Sequence, residues 1–147
     1  MKKRGSTSDF TRQRDRELYT SFMEVLRTAE DTPLREMFAL AAARPASRFW
    51  VSERRAADVI GAMLRGANPE TVEKMYPQRR AMYEEILRRV RAKMEADPSL
   101  CMTHAVDTTV CEPAPSFYLT DESARCIIYR IRRRARAARL LASKRRG

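Results

Sequence analysis

Apolar residues recur three and four positions apart along most of the chain, which is the spacing of one face of a helix rather than of a strand. Leu18, Phe22, Val25, Leu26 and Ala29 form the first such stripe. Ser6 and Asp9 stand ahead of it at capping-box spacing, so a first helix is predicted from about Asp9 to Ala29. Thr32 followed by Pro33 reads as a cap with proline at the first helical position, opening a second helix through Leu34, Phe38, Ala41 and Ala42 that Pro45 ends. After a short extended piece from Arg48 to Val51, Ser52 caps a third helix with Ala56, Val59, Ile60, Met63 and Leu64 inward, stopped at Gly66.

The second half follows the same plan. Asn68 and Pro69 predict a short helical turn ending before Pro77, and a long helix then runs from about Gln78 to Ala96 with Tyr83, Ile86, Leu87, Val90 and Met94 on one side. Asp97 and Pro98 are expected to open the next helix, through Met102, Ala105, Val106 and Val110. Its tail, Asp107-Thr108-Thr109-Val110, is poor helix material. Beyond Pro113 and Pro115, Phe117 to Leu119 read as extended, and Thr120 caps a final helix with Ala124, Ile127, Ile128 and Ile131 inward. The predicted class is all-α.

Sixteen residues from Pro45 to Ile60 (PASRFWVSERRAADVI) align with Pro113 to Ile128 (PAPSFYLTDESARCII) with five identities and five conservative matches. Leu18, Tyr19, Phe22, Met23 and Leu26 likewise fall on Met82, Tyr83, Ile86, Leu87 and Val90. The pattern predicts a tandem duplication of one helix, helix, Pro-Ala turn, capped helix unit, with the two copies packed as a pseudo-symmetric pair. On that plan residues 1–8 are a basic arm, 9–66 the first unit, 67–77 a linker, 78–131 the second unit and 132–147 an arginine-rich helical extension. Each matched residue has a local role. Proline stops the incoming helix, Phe49 and Phe117 bury under the connection, and Ser or Thr followed by an acid caps the outgoing helix.

The P-A-S-R-F-W-V-S segment, with its degenerate P-A-P-S-F-Y-L-T copy, resembles a family of small basic proteins of gut bacteria and their mobile elements. The resemblance extends from Arg12 to Arg134. It implies the duplication and a mobile-element or regulatory setting, but that family carries no assigned activity and contributes no catalytic residue.

Charge changes the picture from architecture to partner. The formal net charge is +11, and it is segregated. From Arg125 to the C-terminus ten basic residues (Arg125, Arg130, Arg132, Arg133, Arg134, Arg136, Arg139, Lys144, Arg145, Arg146) meet no acid, Met1 to Arg16 sum to +4, and the stretch between them sums to −3. Positive ends on a near-neutral body attract polyanions, with nucleic acid foremost and DNA favoured over RNA. A helix, a turn and a capped helix bearing arginines is also the outline of a helix-turn-helix reader, which would present Ser52, Arg54, Arg55 and Asp58 in the first unit and Thr120, Ser123 and Arg125 in the second, with Arg48 as a further candidate contact. Against a simple version, the turn is about twice the usual length, and Glu53, Asp121 and Glu122 stand where phosphates would approach. The alternative is a protein-binding or assembly module that uses Trp50 and Tyr118 as anchors for an acidic partner or for a second copy in a homodimer.

Other chemistries find little material. Cys101, His104, Cys111 and Cys126 match no structural zinc spacing, and no cofactor is expected. The lone histidine, with adjacent carboxylates that cannot face each other on a helix, argues against an enzyme. No apolar run suits a membrane span or a secretory signal, and the reading is a cytoplasmic protein with reduced thiols.

Overall fold

The structure is a computed structural model that describes residues 7–66 and 74–146, with side chains from Phe10 onward. The expected capping box at Ser6 and Asp9, most of the basic arm and the Asn68-Pro69 turn lie outside those residues or side chains. Among the described residues the regular elements are six helices: α1 (Thr7–Thr28), α2 (Leu34–Ala43), α3 (Glu53–Leu64), α4 (Pro77–Ala96), α5 (Met102–Val110) and α6 (Asp121–Arg146). The all-helical class read from periodicity is therefore what the chain adopts.

The helices divide into two compact units. One comprises Met1–Arg44 and Leu119–Gly147, and in it α1, α2 and α6 pack on one another. Leu18, Phe22, Phe38, Ala41 and Ile128 are almost wholly buried there. Phe22 and Phe38 stack at 5.1 Å between centroids. The Ser21 hydroxyl donates to the Ala41 carbonyl at 2.8 Å, tying α1 to α2 where neither backbone could supply the bond. The other unit, Pro45–Tyr118, packs α3, α4 and α5 around Phe49, Ile60, Tyr83, Ile86 and Val106. Each fully buried side chain of this size contributes about 1.5–3 kcal/mol through removal from water.

Two helix starts differ from expectation. Thr32 does not cap α2. Asp31 takes a left-handed φ of 59°, the chain reverses there, and the Thr32 hydroxyl donates back to the Glu30 carbonyl at 3.4 Å. Pro33 stands at the cap instead, its carbonyl accepting from Glu36 N at 3.0 Å. Asp97 likewise does not open α5. Its carboxylate accepts from Ser99 N (3.1 Å) and the Ser99 hydroxyl (2.6 Å), closing an Asx turn, and the helix begins only at Met102. The suspect tail of α5 stays helical through Val110: the Thr108 and Thr109 hydroxyls both donate to the Ala105 carbonyl, and Thr109 is fully buried.

The two Pro-Ala segments meet within the second unit. Ala46 and Ala114 exchange reciprocal backbone hydrogen bonds (3.0 and 2.9 Å), and Phe49 N donates to the Val110 carbonyl at 3.0 Å. The antiparallel bridge thus lies ahead of Arg48 to Val51 and Phe117 to Leu119, the pieces expected to be extended, which themselves run as bends and loop, with Tyr118 at a left-handed φ of 55°. Arg89 of α4 clamps it, donating to Glu112 and to the Pro113 carbonyl, both at 3.1 Å, while its guanidinium lies 5.0 Å from the Phe49 ring centre.

Candidate functional site: the arginine face of the last helix

Helix α6 starts on a well-made cap. The Thr120 hydroxyl accepts from Ser123 N at 3.0 Å, and Asp121 and Glu122 occupy the first turn, where a carboxylate complements the helix dipole. The helix then buries Ala124, Ile127 and Ile128 against α1 and α2. At Ile131 burial becomes partial, and every residue from Arg132 to Arg146 is exposed. That segment carries eight basic residues and no acid.

Two of the terminal arginines are tied to carboxylates. Arg125 donates to Glu122 at 2.6 Å, and Arg130 reaches Asp15 of α1 at 3.1 Å. Asp15 is buried and also holds Arg14 at 2.9 Å, so it pins α6 to α1. Arg132 lies with its guanidinium 5.4 Å from the Phe22 ring centre. Arg133, Arg134, Arg136, Arg139, Lys144, Arg145 and Arg146 have no ion pair among the described residues. Arg132 and Arg136, Arg133 and Arg136, and Arg136 and Arg139 stand three or four positions apart, so like charges crowd one another along the helix and oppose its formation by a few tenths of a kcal/mol per pair.

The remaining sequence-predicted residues lie in the other compact unit. Arg54 and Arg55 are exposed on the first turn of α3, whose Ser52 cap accepts from Arg55 N at 3.1 Å. Arg48 is a structural residue: its guanidinium donates to the Phe49 and Val51 carbonyls at 3.1 and 3.0 Å and lies 5.6 Å from the Trp50 ring centre. Trp50 and Tyr118 are half-buried. Tyr118 stacks on Phe49 at 6.1 Å with a backbone φ of 55°, and burial pushes its hydroxyl above the ordinary tyrosine pKa. The three cysteines are free and exposed, and among the described residues no cluster of three metal-ligating side chains occurs. No helix in the described residues is long and apolar enough to cross a membrane.

Sequence reasoning passed over two residues of this site. Asp15 sits between two arginines in a strongly basic stretch, and only its position on the buried face of α1 marks it as the anchor of Arg130. Tyr129 lies outward on α6 with 39 % of its surface exposed, and a large aromatic surrounded by arginines was the signal available. No protein-family model, curated protein or solved structure matches this chain at a significant level.

Proposed function

We propose that the protein binds nucleic acid, double-stranded DNA in particular, through the free half of α6 assisted by the basic N-terminal segment. The observation that carries this reading is the exposed helical segment from Arg132 to Arg146, whose cations pair with no carboxylate among the described residues. A phosphate backbone supplies the missing counter-charge and relieves the repulsion between neighbouring arginines. The helix form favours duplex DNA. A helix about 10–12 Å across enters the major groove of B-DNA, about 12 Å wide, whereas the corresponding groove of A-form RNA is too narrow. The contact is assigned to α6 and not to a helix-turn-helix pair, because α2 and α3 belong to different compact units and Arg48 is committed to its own turn.

We also infer that the body is a duplicated unit in which the copies have exchanged their third helices. Matched residues share their surroundings: Phe49 and Phe117, Ala56 and Ala124, Ile60 and Ile128 are all buried, and Ser52 and Thr120 accept the same capping bond. Each compact unit then takes two helices from one copy and the third from the other.

The deciding experiment is fluorescence anisotropy with duplex DNA, single-stranded DNA and duplex RNA at several salt concentrations. If about six phosphates are neutralised, log affinity for the DNA duplex falls with log salt at a slope near −5. Removing residues 132–147 is expected to lower affinity by roughly a thousandfold and to flatten that slope. Retained affinity in the truncated protein overturns the proposal.

A further inference from the structure

Tyr129 lies on α6 just before burial along that helix ends, and its ring stands partly outward although Ile127 and Ile128 directly ahead of it are buried. The ring is braced. Phe38 meets it edge-on at 5.6 Å and 63°, and Phe38 is itself stacked on Phe22. On another side the Arg125 guanidinium lies 6.0 Å from the ring centre, fixed by its 2.6 Å hydrogen bond to Glu122. Two open clefts flank the tyrosine, of about 290 and 480 Å³, and Tyr129 lines both. The larger is otherwise formed by Arg125, Cys126, Arg132, Arg133 and Arg136. Relative to Tyr129 these arginines stand at minus four, plus three, plus four and plus seven, the positions that share one helix face.

An aromatic ring held half out of the core, with cations along the same face, is the pairing that single-stranded nucleic acid uses: the ring stacks a base, and the guanidinium groups take the phosphates on either side. A base inside a duplex is already stacked on its neighbours and cannot reach the ring. The larger cleft falls within the size range of small-ligand sites. Resting on the reading that α6 binds DNA, we propose that Tyr129 is a stacking platform for one unpaired nucleobase, with Arg132, Arg133 and Arg136 holding its flanking phosphates. The protein would then prefer a duplex that ends in a single-stranded overhang to the same duplex with a blunt end.

The test uses the full chain and two labelled DNA probes that differ only in the overhang. Wild type is expected to bind the overhang probe roughly tenfold more tightly, the increment of one stacked base. Tyr129→Phe should keep that preference. Tyr129→Ala should lose it while binding the blunt probe within about twofold of wild type, since the phosphate contacts remain. Should Tyr129→Ala fail to fold by circular dichroism, Tyr129→Leu retains an apolar contact for Phe38 and removes the aromatic face, and the same loss is expected. Equal affinity of wild type for the two probes, or a preference that survives in the folded alanine or leucine variant, overturns the platform and leaves the α6 proposal standing. Failure of wild type to bind either probe overturns both.

Discussion

Two helices of this protein are rich in arginine, and the use each makes of it is opposite. In α4, Glu85 holds Arg88 and Arg89 three and four positions on, and Glu112, two residues beyond α5, accepts from Arg89 and Lys93. These cations are parts of the scaffold. The hydrogen bond from Arg88, aided by Arg89 and opposed by partial burial, brings the Glu85 carboxyl down to about 2. Burial alone would push Glu112 up, yet the bonds from Lys93 and Arg89 leave it below its ordinary value. In α6 the acids stop at Glu122, so beyond Arg130 nothing within a helical turn can quench an arginine. The number of cations matters less than whether an acid stands three or four residues away.

The contrast can be broken most forcefully by reversing free charges. Arg133→Glu with Arg136→Glu should weaken duplex binding by roughly a hundredfold, read by anisotropy, because each swap removes one phosphate contact and adds a repulsion. The melting temperature should not fall, since neither side chain has an ion pair among the described residues. The mirror experiment is Arg89→Ala, which removes the clamp on Glu85, Glu112, Pro113 and Phe49. It is expected to cost about 1–3 kcal/mol of stability in a denaturant titration and to leave DNA affinity unchanged.

A finer test converts α6 toward α4 without removing any arginine. Ala135→Glu and Ala138→Glu together place carboxylates four residues from Arg139 and Arg134. Binding should drop roughly tenfold while the helix gains a few tenths of a kcal/mol per pair. Ser52→Ala and Thr120→Ala, the matched caps, should each cost about 1 kcal/mol, measured by thermal melts. Unequal losses would argue against equivalent copies. The smallest effect is the pH response of α4. The Glu85 pKa is depressed in the folded state from its ordinary value of 4.5 to about 2, so its contribution is fully present above pH 4.5 and is lost as pH falls through about 2. An acid titration of wild type against Glu85→Gln should show that added loss only in wild type.

Much of this was legible in the residues themselves. The apolar spacing located the six helices of the described residues, and Ser52 and Thr120 identified their own caps, because both signals are local and need only the next turn of backbone. Thr32 and Asp97 misled for a reason equally local: each hydroxyl or carboxylate had a competing turn within two residues, and the turn won. The site was legible as a charge count. Arg125 and Arg130 belong to that count and yet are tied to Glu122 and Asp15 in the fold.

By itself, then, the sequence determined an all-helical chain whose cations gather where acids are missing, since periodicity and charge spacing act over one or two turns. Only the tertiary structure decided that α6 joins α1 and α2 while α3 joins α4 and α5, and that Asp15 reaches an arginine 115 residues away. It also decided that Tyr129 stands braced beside the free arginines and not inside a core. Those choices depend on which apolar stripes find each other, a competition among distant surfaces of similar hydrophobicity that no local pattern ranks.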